Sequence, residues 1–174
     1  MAVELEYERT FLLRQLPEEL DKARHMTIRD VYIPESSAHA QIRVRRQGDE
    51  MMITKKHQQT VGDSTVMVEH TIPLGELEYD TLAACSTKDF VKTRYFMTID
   101  GHDSQVDVYG GKLAGLAMVD FEFASEDELR NFTMPDICLA DVSQQEFIAA
   151  GYLAGKSYDD IAERLGAFGY QKIV

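Results

Sequence analysis

The chain has no run of about 18 apolar residues, so no helix of it is expected to cross a membrane. Its N-terminal stretch is acidic and lacks the apolar centre of a signal peptide. Cysteine is scarce: Cys85 and Cys138 follow no metal or redox spacing and read as buried or free thiols in a reducing cytoplasm. Positive charge is also scarce, with 18 Lys and Arg against 30 Asp and Glu and a net charge of −12. That balance argues against a general nucleic-acid binder, whose affinity rests on neutralising phosphates. It leaves room for a small polyanion in a locally basic cavity. The five histidines have no zinc spacing, and Gly110-Gly111-Lys112 is a turn without the rest of a P-loop. No linker, repeat or low-complexity stretch interrupts the 174 residues, which predicts one domain, a strand-rich part at about 3–124 and a helical part at about 125–174.

What is present is alternation. Strand-like stretches fall at about 3–14, 27–34, 39–47, 50–57, 65–74, 90–99, 104–110 and 116–124. Gln47-Gly48-Asp49 and Asp100-Gly101 read as hairpin turns. Short helices are predicted at 17–23 and 75–84, then after Ser125, near 143–153, and from Ser157 to about Gly166. The fold class is α+β, with eight antiparallel strands, enough to close a barrel.

Side chains at i and i+2 of a strand share a face. Glu6 and Glu8 therefore converge, as do Arg43 with Arg45, Lys92 with Arg94, Asp107 with Tyr109, and Asp120 with Glu122. Their opposite faces are mostly apolar. An inverted barrel accommodates both: apolar faces lie outward under helices or a partner subunit, and charged faces line a wet interior. Two converging carboxylates repel unless a cation or a basic group lies between them. Oxygen donors suit Mg²⁺ or Mn²⁺, and arginine forks suit phosphate oxygens. A structural network of salt bridges would produce the same pattern of charge.

The run Glu6-Tyr7-Glu8-Arg9-Thr10-Phe11-Leu12 resembles the Glu-x-Glu-x-Lys signature of the CYTH superfamily, the triphosphate tunnel metalloenzymes, most of all its small bacterial members. The likeness extends in order through Ile42 to Gly48, Thr54-Lys55-Lys56, Lys92 to Tyr95, Val106 to Tyr109, Met118 to Phe123 and Asp141-Val142-Ser143. The resemblance implies an eight-stranded antiparallel tunnel that hydrolyses a triphosphate with Mg²⁺ or Mn²⁺. It places Glu6, Glu8, Asp120 and Glu122 as metal carboxylates, with Asp107 and Glu69 as further candidates. Arg43, Arg45, Lys56, Lys92 and Arg94 would grip phosphate, and Lys156 would supply a further cation from the helical region. In related small proteins a tyrosine on the second strand pairs with the signature lysine, and Tyr32 is placed for that role. Two positions depart from the pattern: the signature lysine is Thr10, and Thr71 replaces the second acid of the strand around Glu69. These departures open a second reading, a catalytically weak triphosphate or polyphosphate binder. Adenylate cyclase acting on ATP is a third. The expected partner is a small-molecule triphosphate, with no nucleic acid and no membrane. A homodimer would cover the outward Tyr7, Val119, Phe121 and Phe123.

Overall fold

The computed structural model describes residues 3–173. Nine antiparallel strands form one sheet: β1 (Val3–Leu13), β2 (Arg24–Ile33), β3 (Ile42–Gln47), β4 (Glu50–Gln58), β5 (Val66–Pro73), β6 (Asp89–Ile99), β7 (His102–Tyr109), β8 (Ala117–Phe123) and β9 (Cys138–Asp141). The order is β5-β4-β3-β2-β6-β7-β8-β1-β9, and β5 also pairs with β1. That last pairing, Leu5 opposite Val68 and Tyr7 opposite Val66, closes the first eight strands into a barrel. β9 extends the far end of β1, with Phe11 opposite Asp141. Asp100 and Gly101 both take positive φ, 50° and 83°, as the tight β6–β7 hairpin requires.

The expected inversion is present. Three apolar clusters lie outside the lumen or cap its end. Phe11, Leu13, Val106, Val119 and Phe121 point outward from β1, β7 and β8 and pack on Phe132 and Cys138. The rings of Phe121 and Phe123 lie 4.7 and 5.0 Å from that of Phe132. The segment around Phe132 thus covers Phe121 and Phe123, two residues of the face for which a partner subunit was considered. On the other side, α1 (Glu76–Ala83) lays Tyr79 and Leu82 over Val31 and Val44. The third cluster closes one end of the barrel. Leu12, Tyr32, Tyr109 and Met118 meet Phe147, Ile148 and Leu153 from the C-terminal region.

The helical segments are shorter than their sequence suggests. The stretch at 17–23 contains only a 3-10 turn, Leu20–Lys22. After α2 (Glu126–Asn131), the stretch 143–153 splits into a 3-10 turn, Glu146–Ile148, and α3 (Ala150–Leu153). Ala149, at φ −56° and ψ 134°, breaks the run. The break lets Gly151 sit where a Cβ would lie 2.1 Å from the Ala40 carbonyl oxygen, so the plug seals against the β2–β3 connection. α4 (Tyr158–Gly166) begins with a capping box in which Ser157 and Asp160 exchange hydrogen bonds. No helix among the described residues is long and apolar enough to cross a membrane.

Candidate functional site

The strand period aims the charged faces into a single cavity of about 890 Å³. Of the metal, phosphate and catalytic candidates named from sequence, every one except Lys156 lines it. Lys156 is half-buried outside the cavity, with its ammonium 5.5 Å from the centre of the Tyr152 ring. It therefore does not line the lumen.

The basic residues are held by buried carboxylates. Arg45 makes a bidentate pair with Asp30, Nε to Oδ1 and Nη2 to Oδ2, both at 2.7 Å. Asp30 is 0% exposed and Arg45 8%. Burial alone would raise the Asp30 pKa, but Arg45, aided by Arg43 and Lys92, outweighs it and holds the carboxyl below its ordinary value. Asp107 has the same task on β7. It accepts from Lys92 and, at 2.7 and 2.6 Å, from Nε and Nη2 of Arg94. Its carboxylate is thereby committed, which corrects its assignment as a metal candidate: Asp107 positions two cations. Its pKa is driven far down, burial being overcome by Lys92 and Arg94. Burial, reinforced by Arg94, lowers Lys92 to about 8 despite this partner. Arg43 approaches Glu69 at 3.4 Å, and its buried Nε has no partner. Thr71, where a second acid was absent, donates to Glu69 Oε1 at 2.7 Å and exchanges a hydroxyl bond with Thr54.

The acidic wall is β1 and β8, where Glu8 lies opposite Glu122 and Thr10 opposite Asp120. Between Glu6 and Glu8 sits a basic group, the Lys56 ammonium, 2.5 Å from Glu6 Oε2 and 2.9 Å from Glu8 Oε1. Burial raises the Glu6 pKa above its ordinary value, more than Lys56 lowers it. For Glu8, burial is overcome by Lys56, Arg94 and Arg43, and the net shift is downward. Asp120 goes the other way. Burial, then the charges of Glu8 and Asp107, push it up to about 6 against the pull of Arg94. Thr10 donates its hydroxyl to Asp120 Oδ1 at 2.7 Å, and Arg94 donates to Oδ2 at 3.2 Å. At position 10 a neutral hydroxyl therefore bonds Asp120 without supplying the positive charge that would lower it. Glu122 lies at the exposed rim and accepts from Gln105 at 2.5 Å. Tyr32, at the closed end, has its pKa raised chiefly by burial, so its phenol remains protonated. As the side chains stand, no three acidic, histidine or cysteine groups among the described residues converge closely enough to hold a metal ion.

Asp30 is the residue that sequence reasoning missed. Its signal was there: it shares parity with the inward Tyr32 on the same strand.

A closed barrel with outward apolar faces and a lumen carrying arrays of both signs defines a class of protein, the charged β-tunnels. The chain resembles the CYTH, or triphosphate tunnel, family in sequence and fold. It is 29% identical over 132 residues to an inorganic triphosphatase of Nitrosomonas europaea, covering 75% of this chain and 83% of that protein. The crystal structure of an inorganic triphosphatase superposes with a TM-score of 0.63 at 27% identity, over 86% of this chain and 93% of the other. A Hippeastrum protein, HpAC1, with a dominant triphosphatase activity shares the fold at a TM-score of 0.52 and 10% identity, over 92% and 95% of the two chains. No family model matches the sequence.

Proposed function

We propose that this protein hydrolyses a triphosphate, inorganic tripolyphosphate foremost, inside its charged tunnel with the help of Mg²⁺ or Mn²⁺. The observation that carries this reading is a lumen in which Arg45, Lys92 and Arg94 are fixed on buried carboxylates while the buried Nε of Arg43, which also faces the lumen, has no partner. Cations locked in place beforehand spend little entropy on gripping an anion. Arg43, Arg45, Lys92 and Arg94 face the cavity and would take the phosphate oxygens. The relative named an inorganic triphosphatase supports the same reading.

The carboxylates fit a hard divalent ion. Glu6 and Glu8 already gather one cation, the Lys56 ammonium, which stands where a metal ion would. Asp120 is held up to about 6 by burial and by the charge of Glu8 beside it. Glu6, Glu8 and Asp120 would hold the ion, with Glu122 at the rim. When bound, such an ion supplies charge neutralisation and a water of lowered pKa. The chain's own residues do the rest. The arginines and Lys92 orient the phosphate chain, and Thr10 fixes the Asp120 carboxyl. Tyr32, kept neutral, serves as a hydrogen-bond donor rather than a base. The Leu12, Met118 and Phe147 plug excludes water from one end.

The test is release of inorganic phosphate from tripolyphosphate with Mn²⁺, beside thiamine triphosphate and ATP. Glu8→Gln should reduce turnover by about a hundredfold or more, the loss expected when a ligand itself is neutralised. Unchanged turnover in that variant would sink the carboxylate assignment. The Thr10–Asp120 hydrogen bond favours a second reading, a triphosphate binder that turns over slowly, because no cation occupies position 10. Calorimetric binding of tripolyphosphate without phosphate release would select it. Cyclic AMP from ATP would select a cyclase.

A further inference from the structure

The lysine between Glu6 and Glu8 comes from a strand that does not touch theirs. Lys56 is on β4, Glu6 and Glu8 on β1, and β5 runs between them. The side chain therefore crosses the lumen past β5 to reach both carboxylates. A lysine carries one compact charge on a flexible stem of four carbons, unlike the planar and less adaptable guanidinium. The neighbouring arginines are locked to buried acids, Arg45 to Asp30 and Arg94 to Asp107. Lys56 has no such anchor. Its hydrogen-bonding partners are the two carboxylates of the metal reading above, on which this inference rests.

A metal ion and the ammonium cannot both sit at the point where those oxygens converge. An ion such as Mg²⁺ binds carboxylate oxygen at about 2.0–2.1 Å. The ammonium already occupies the point on which Glu6 Oε2 and Glu8 Oε1 converge, at 2.5 and 2.9 Å. The structure assigns Lys56 a role as resident counter-ion of the Glu6–Glu8 pair: it must withdraw for a metal ion to bind there, and its freed ammonium then turns to the phosphate chain in the same lumen. One group thus screens the carboxylates in the free protein and joins the phosphate-binding set in the loaded one. A consequence is that the free protein binds metal weakly. Phosphate, by giving the displaced ammonium a new partner, makes the exchange favourable.

The experiment is calorimetric titration of the whole, metal-free protein with Mn²⁺ alone. Lys56→Met should bind Mn²⁺ at least about tenfold more tightly than wild type, the equivalent of about 1.4 kcal/mol. Arg43→Met is the control. It removes the same charge from the same cavity, one that reaches Glu8 only through its field and makes no direct bond to Glu6 or Glu8, and should change the affinity by less than about threefold. Equal tightening in both variants would mean diffuse electrostatics, and would overturn the proposal. So would unchanged or weaker binding in Lys56→Met, although the metal reading would survive because wild type binds. Absence of Mn²⁺ binding in wild type and in Lys56→Met, with or without a non-hydrolysable imido analogue of tripolyphosphate, would remove the metal reading and the inference together. If Lys56→Met does not fold, ¹⁵N-lysine spectra of wild type decide the matter, with Lys56 identified by its loss in Lys56→Arg. Its Nζ signal should move on addition of Mg²⁺ alone. A signal unmoved while calorimetry shows Mg²⁺ saturation would overturn the proposal.

Discussion

Replacing Asp30 by asparagine should show how far the lumen depends on carboxylates that never meet substrate. Asp30 is 0% exposed and its two oxygens each accept an Arg45 N–H at 2.7 Å. Asparagine keeps the shape but removes the charge, and Arg45 is left buried with no counter-ion. Breaking a buried pair from one side costs about 3–5 kcal/mol, because the remaining charge stays desolvated. For a domain of this size each kcal/mol lowers Tm by about 2–4 °C, so the expected drop is about 6–20 °C. Urea unfolding at pH 7 would give the free energy directly, and thermal melts would give the shift in Tm. The pH signature separates charge from packing. The folded-state pKa of Asp30 lies below its ordinary 3.8, so its contribution is fully present above that value and is lost as pH falls through the depressed folded value. The difference between wild type and Asp30→Asn should accordingly close in acid. Phosphate anion, by pairing with the exposed demand of Arg45, should recover part of the loss at neutral pH. A penalty below about 1 kcal/mol at pH 7, within the range of an exposed pair, would refute the reasoning.

Asp120 behaves in the opposite sense. With its folded pKa raised to about 6, its contribution to stability is present below the ordinary 3.8 and is lost as pH rises through about 6. Asp120→Asn should therefore melt higher than wild type at pH 8 in a chelator, with the gain shrinking from pH 6 downward, while metal-dependent phosphate release falls. Thr10→Lys would exchange the hydroxyl bonded to Asp120 Oδ1 for an ammonium, and should draw the Asp120 pKa down. The acid limb of the pH–rate profile with tripolyphosphate should then move to lower pH, and an unmoved limb would show that Thr10 is compensated elsewhere.

Much of this was legible because alternation survives in the strands. Arg43 with Arg45, or Lys92 with Arg94, needs only the two-residue period to be placed on one face, and the apolar neighbours then fall outside. Closure was less visible. It depends on the β1–β5 pairing, a contact between chain segments about sixty residues apart, which no local pattern encodes. β9 was overlooked because Cys138–Asp141 is four residues long and carries no alternation; it exists because the far end of β1 has a free edge. The commitment of Asp107 was hidden for another reason. Its partner Arg94 lies directly opposite on β6, so its role follows from register and not from its own motif. Lys156 failed as a candidate because nearness in sequence to the plug says nothing about whether a side chain lines the lumen.

The arrangement also explains how a site residue as central as position 10 can change without costing the fold. Stability resides in the three apolar clusters, outside the lumen or at its sealed end. Inside, carboxylates crowd until burial and repulsion raise Asp120 and Glu6 above their ordinary values, which makes this wall a net cost to the free protein. On the function proposed, a cation or a metal-bound polyanion would relieve that cost, and part of the binding free energy would already be stored as repulsion between neighbouring acids. Thr10 lies within this wall and not within the supporting clusters. Its hydroxyl leaves the repulsion at Asp120 largely in place, where a lysine would have neutralised it in advance. The substitution thereby shifts the work of neutralising Asp120 from the chain to whatever the tunnel binds.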